Sequence, residues 1–329
     1  MRKGAADATK QANSVLLKQL PFSDTSDFDA ANKGFMAALP SETIKGSAGN
    51  AIWNPQQYGF ISDATAPDTV NPSLWRQSRL INISGLFEVT DGIYQVRNQD
   101  LSNMTIIEGS EGVTIVDPLV SAETAKVALD LYRSKRGNKP VKAVIYTHSH
   151  VDHYGGVRGV TSEDDVQSGK VKIYAPDGFL EAAVAENVMA GTAMSRRASY
   201  MYGNLLKADP KGQVGAGLGT TTSAGTVTLI APTNIIKETG QKEKIDGLTY
   251  EFLMAPRFGS AFGDDVVHRG KEGDGIRRGR DSHAAQYVFA SRRQNSRAAA
   301  LVEIPQPGAG DVGRQGRCGV CAAPLADMG

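Results

Sequence analysis

Residues 148–153 read His-Ser-His-Val-Asp-His and gather three of the chain's five histidines into six positions. The cluster follows Val141–Tyr146, whose alternation is that of a half-buried strand, and precedes Gly155-Gly156. That order constrains the fold more than any other stretch. On an extended loop His148 and His150 project to one side and can share an ion. A tightening turn would swing Asp152 and His153 toward a second. Imidazoles with one carboxylate suit zinc better than magnesium or calcium. A surface histidine cluster at a strand end is the plainer use of such residues. The glycine pair favours ligands, because the backbone must turn sharply beside a filled site.

The flanking pattern supplies a scaffold. Leu86–Val89, Ile93–Arg97, Met104–Glu108 and Val113–Val116 are short strands separated by the hairpin turns Asp91-Gly92 and Glu111-Gly112. Ser121 opens a helix that runs to about Arg136, with Gly137 as its stop. A strand is expected at Val171–Tyr174, helices near 176–189 and 193–205, a Gly/Thr/Ser loop at 212–225, and strands near Val227–Ile230 and Tyr250–Phe252. A meander followed by alternating strands and helices means a layered α/β domain. The residues before it, with a short helix near 12–20 and five prolines between Pro21 and Pro72, read as an arm that wraps the domain.

Composition excludes several classes. Lys+Arg 36 against Asp+Glu 35 leaves a net charge of +1, which argues against a nucleic-acid binder or a polybasic membrane-surface protein. Two cysteines build no disulfide framework. No run of 18 apolar residues offers a membrane span. No apolar stretch near the start reads as a secretion signal, so the cytoplasm is the default compartment, with periplasm and secretion left open.

The six-residue signature resembles that of the metallo-β-lactamase superfamily. Further segments are similar to the linear primary alkyl sulfatases, the dodecyl-sulfate hydrolases. These are Asn71-Pro-Ser-Leu-Trp-Arg76, Gly92-Ile-Tyr-Gln-Val-Arg97, Asp100-Leu-Ser-Asn-Met-Thr105, Ala193-Met-Ser-Arg-Arg197, Tyr200-Met-Tyr-Gly203 and Gly215-Ala-Gly-Leu-Gly-Thr-Thr221. The resemblance implies an αββα sandwich, incomplete in its second half, and hydrolysis of primary alkyl sulfates to alcohol and sulfate. It implies two zinc ions, with His148, His150, Asp152 and His153 as ligands and Asp152 also catalytic. Asp117 would buttress the metal loop, although a helix cap is its other use. Asn187, Arg196 and Tyr202 are candidate substrate contacts, with solvated or core roles as the ordinary alternatives. Met189, Met194, Met201 and Leu205 could line a groove for the alkyl tail or belong to the core. A family dimer is implied, but its dimerisation region has no counterpart here. Another hydrolase of the same fold (lactonase, thioesterase or β-lactamase) and a catalytically dead metal-binding remnant are the competing readings.

After Pro256 the text changes. The following 73 residues hold 10 of the 19 arginines, 1 of the 17 lysines and both cysteines. Where the family has a Gly-Ser/Thr-Glu turn, this chain reads Arg257-Phe-Gly-Ser-Ala-Phe-Gly263, and no glutamate occurs before Glu272. The expected organisation is therefore a wrapping arm over 1–84, the first part of the domain over 85–256, and a disordered Arg/Gly-rich tail over 257–329. The tail reads as an out-of-frame or misassembled product of a GC-rich gene, which would impair turnover. His268, His283, Cys318 and Cys321 are expected to be incidental.

Overall fold

The computed structural model describes residues 3–254 and two short paired strands beyond them, His268–Arg269 and Gly275–Ile276. The rest of the expected tail, with His283, Cys318 and Cys321, lies outside the described residues. Asp7–Gln19 (α1) and Ser26–Asn32 (α2) come first, then Phe35–Ala37 (β1), the pair Ile44–Lys45 (β2) and Ala51–Trp53 (β3), and Pro72–Ile81 (α3). Asn71 caps α3 by accepting from the Ser73 N–H at 2.9 Å, with Pro72 at the first helical position.

The meander forms as expected: Gly85–Thr90 (β4), Ile93–Arg97 (β5), Met104–Glu108 (β6) and Val113–Val116 (β7), each antiparallel to the next. β1 adds antiparallel to β4, so the N-terminal segment supplies a strand to the main sheet. Beyond β7 the sheet turns parallel through Val141–Ile145 (β8), Lys172–Pro176 (β9) and Asn234–Ile236 (β10). The eight strands run in the order β1-β4-β5-β6-β7-β8-β9-β10.

Both faces of this mixed sheet are covered, which is why β5 and β7 are buried throughout rather than alternating. One face packs on Ala122–Arg136 (α4) through Ala125, Ala128, Leu129 and Tyr132, and on Glu163–Gln167 (α5) and Phe179–Val184 (α6) through Val166, Phe179 and Ala183. The other packs against the hairpin of Lys242–Ile245 (β11) and Leu248–Glu251 (β12), whose Ile245 and Tyr250 join Ile107, Ala143 and Tyr174. Helices, sheet and hairpin form three layers of the expected sandwich among the described residues.

Two expectations need correction. Val227–Ile230 is not a strand: the Thr228 N–H donates to the Gly155 carbonyl at 2.7 Å, so the segment ties to the histidine loop and leaves strand pairing to β10. The helix expected over 176–189 is broken. α6 ends at Val184, and Ala185–Met189 continues as a π-helical turn before Gly191–Tyr202 (α7). The Asn187 amide donates to the Ala183 carbonyl at 3.0 Å and so competes for the acceptor an α-helix would give to its own backbone N–H.

A charged knot ties α4 to the meander. Glu108 accepts from the Tyr132 hydroxyl at 2.6 Å and the Arg136 guanidinium at 3.0 Å, and Lys139 lies 2.9 Å away. Burial alone would raise the Glu108 carboxyl, but these donors outweigh it and hold the group at about 2, below its ordinary 4.5. On acidification the unfolded chain therefore takes up this proton first. The stabilisation is complete above pH 4.5 and is lost as the pH falls toward 2. Glu108→Gln is expected to cost roughly 1–2 kcal/mol at neutral pH and to flatten that acid limb. Melting temperatures of both chains across the interval check this, and parallel curves would refute it.

Candidate metal centre

β8 delivers the histidine loop at the carboxyl end of a parallel strand, where open α/β sheets place their sites. Thr147, His148 and Ser149 continue out of it buried, and Val151–His153 tightens into a 3-10 turn. The three imidazoles pack against one another. Ring centroids of His148 and His150 lie 4.5 Å apart, and those of His148 and His153 lie 4.0 Å apart. Asp152 Oδ2 is 3.1 Å from His153 Nε2. His153 thus sits as close to His148 as His150 does, so the residues form one cluster rather than two separated pairs.

Asp117 organises the loop from the end of β7. Its backbone N–H donates to Ile145 O at 3.0 Å, which pins the β7 and β8 ends together. Its carboxylate accepts from the Thr147 N–H and hydroxyl, both at 2.8 Å, and from His153 Nδ1 at 2.9 Å. α4 starts five residues later, with Ser121 at its N-cap position, so the Asp117 side chain acts on the loop and not on the helix. Asp117 adopts φ 56°, a left-handed conformation that aspartate tolerates better than most residues.

These bonds also settle proton positions. Thr147 spends its single hydroxyl proton on Asp117, so toward His148 Nδ1, 3.1 Å away, it can only accept. His148 is therefore protonated at Nδ1 and carries its lone pair on Nε2. His153 stands between two carboxylates, with Nδ1 2.9 Å from Asp117 Oδ2 and Nε2 3.1 Å from Asp152 Oδ2.

Three further residues support the loop, and the sequence did not assign them that role. Ser102 donates its hydroxyl to the Asp152 carbonyl and holds the turn from the β5–β6 connection. Asp100, fully buried, anchors that connection by accepting from the Leu101 and Ser223 N–H groups and from the Thr124 and Ser223 hydroxyls. Burial raises its carboxyl, against the pull of those bonds. Glu186, on the π-helical turn, places Oε1 3.2 Å from His150 Nε2. Its helical spacing from the buried Phe179, Ala182 and Ala183 was the available signal, a lone acid on an apolar face.

The expected substrate contacts separate. Asn187 is half-buried on the same turn, 3.5 Å from the Ser149 carbonyl. Tyr202, at the end of α7, is half-buried, and burial first, then Asp152 and Glu186, push its phenol up to about 12. Tyr154 is raised to about 12 by burial and the same two carboxylates. Arg196 is exposed on α7, and among the described residues no hydrogen bond or ion pair joins it to the cluster. Met189, Met201 and Leu205 are exposed rather than in the core, and Met194 is half-buried.

Residues 97–233 match the family model described as the metallo-beta-lactamase superfamily, and that stretch spans the whole histidine loop. The described residues thus carry the metallo-β-lactamase fold. Within that class the chain is similar to the alkylsulfatases. It is 70% identical to a linear primary-alkylsulfatase of a Pseudomonas species over 292 residues, 88% of this chain and 43% of that protein. It is 51% identical to an alkyl/aryl-sulfatase of Saccharomyces cerevisiae over 77% of this chain and 39% of that one. The solved structure of a stereoselective inverting sec-alkylsulfatase from a Pseudomonas species superposes with a TM-score of 0.77 at 46% identity, covering 82% of this chain and 42% of that one. The chain spans about two fifths of the length of the curated relatives it matches.

The superfamily implies a divalent metal, and the donor set fits one in kind. Among the described residues no group of three or more His, Cys, Asp or Glu is already gathered as a cage. The fit rests instead on two local features. His148 carries its lone pair on a buried Nε2, and the 3.1 Å between His153 Nε2 and Asp152 Oδ2 is near the spacing of about 3.3 Å that two ligands keep on one tetrahedral ion.

Proposed function

We propose that this chain carries the zinc-binding half-site of an enzyme that hydrolyses primary alkyl sulfates, such as dodecyl sulfate, to alcohol and sulfate. The observation that carries the reading is the 70% identity to a linear primary-alkylsulfatase. The packing of three imidazoles and Asp152 at the end of β8 supplies the chemistry. His148, His150, Asp152 and His153 would hold zinc, two ions in the complete centre. When bound, zinc supplies Lewis acidity toward a sulfate oxygen and brings the acidity of water near neutrality.

This chain's own groups do the rest. Asp152, its side chain 15% exposed, can accept a hydrogen bond from the attacking water and orient it. The Tyr202 phenol stays protonated through neutral pH and donates toward an anionic head group. Asn187 offers amide protons from the neighbouring turn. Arg196 would have to approach from the exposed face of α7 to neutralise sulfate charge. Val188, Met189, Met201 and Leu205, all exposed on the segments that carry Asn187 and Tyr202, suit a flexible alkyl tail.

The test is zinc uptake by the purified chain together with sulfate release from dodecyl sulfate, an acyl-thioester and a β-lactam serving as comparison substrates. Sulfate release is expected to be weak, to follow zinc occupancy and to stop with a chelator, because the described residues supply only part of a two-metal ligand set. Faster turnover of the thioester or lactam would overturn the substrate class, and failure to bind zinc would overturn the whole reading.

A further inference from the structure

Besides Asp117, Glu186 is a carboxylate at the centre that the signature motif does not supply, and its setting is specific. It follows Phe179, Ala182 and Ala183 at helical spacing, which aims it inward where the apolar face of α6 gives out. Its side chain is 11% exposed, with Oε1 3.2 Å from His150 Nε2 and Oε2 accepting from the Ser149 hydroxyl at 3.5 Å. Asn187 donates to the Ser149 carbonyl from the same turn. Two consecutive residues thus bracket Ser149-His150 from the far side of the loop. They sit on a π-helical turn, a rare and costly geometry that concentrates at functional sites.

An ionised carboxylate only accepts, so the contact requires His150 to donate from Nε2. A neutral imidazole bonded in that way carries its lone pair on Nδ1. We propose that Glu186 is a positioning residue of the metal centre, which fixes His150 as the Nε2–H tautomer and presents Nδ1 to the ion. Thr147 fixes His148 in the opposite sense, with the proton on Nδ1 and the lone pair on Nε2. Two histidines one residue apart are thereby locked to offer different nitrogens, each by a partner on its other nitrogen. The inference rests on the metal-site reading above, but its first readout does not.

The experiment measures ring nitrogen–proton correlations of His150 in the zinc-free chain, and zinc affinity by competition with a chromophoric chelator. The wild-type ring is expected as the Nε2–H tautomer. Glu186→Ala should lose that preference and weaken zinc binding about 10–100-fold. Glu186→Gln, whose amide oxygen still accepts, should restore the tautomer and most of the affinity. Glu181→Ala, a change on the exposed face of α6, should leave both as they are. A wild-type His150 protonated at Nδ1 would overturn the inference without recourse to any variant. So would a Glu186→Ala chain with unchanged tautomer and affinity within twofold of wild type. A chain that shows the tautomer pattern but takes up no zinc would refute the metal reading and leave the Glu186–His150 bond standing.

Discussion

An alanine at position 150 is expected to leave the fold intact and abolish zinc-dependent sulfate release from dodecyl sulfate. The fall should be at least about a thousandfold, or roughly 4 kcal/mol of transition-state stabilisation. The two effects separate here because of where the ring lies. The His150 side chain is 31% exposed and pairs with Glu186, whereas His148 is fully buried. Truncating His148 would open a cavity under the loop and confuse lost chemistry with lost packing. Truncating His150 removes a donor from the open side of the cluster, and Asp117, Thr147 and His153 keep their bonds to one another. Sulfate release and thermal melting should be measured on the same preparation. Unchanged hydrolysis in that variant would sink the ligand assignment, and a collapsed melting curve would show that His150 is structural.

Gly156→Ala should be the most destabilising single methyl group in the loop, at roughly 3 kcal/mol or more. A Cβ at Gly156 would lie 2.0 Å from the Pro118 carbonyl oxygen, 2.6 Å from that of Ser121 and 2.7 Å from the Ala125 Cβ. Two of those atoms are backbone, so no side-chain rotation can relieve the clash. The sequence suggested a sharp turn as the reason for the glycine pair, but Gly156 has an ordinary φ of −87°. Its requirement is close approach: the segment after the histidines lies directly on the β7–α4 connection. For a chain of this size the melting temperature should drop by roughly 6–12 °C. Gly191→Ala is the matched control. It also lacks a left-handed backbone, has nothing within 4 Å of its added methyl, and should melt within a degree or two of wild type. Equal melting of the two variants would refute the packing argument.

Much of the scaffold was readable. The four meander strands, β8, and the start and stop of α4 follow from apolar period and punctuation, because each is fixed by local pattern and by burial on both faces. Val227–Ile230 misled for a physical reason. Its apolar alternation is that of a strand, but its backbone partner is the Gly155 carbonyl, and no local property of Thr228 announces that. The break in the helix after Val184 was equally hidden, since it depends on one asparagine side chain competing for a carbonyl four residues back. Met189 and Met201 looked like core by frequency and turned out to be exposed.

The division at the site is similar. His148, His150, Asp152 and His153 are contiguous in the chain, so their chemistry was legible as a word. Sequence alone thus determined that donors of this kind would follow a strand in an α/β layer. Which groups hold each of them was decided only by the fold, through residues far away along the chain. Asp117 reaches His153 across 36 residues, Glu186 reaches His150 from the π-helical turn, and Ser102 holds Asp152 across 50. A hydrogen bond fixes a proton only when both partners are in place, and that placement is a property of the packed sheet and its covering helices.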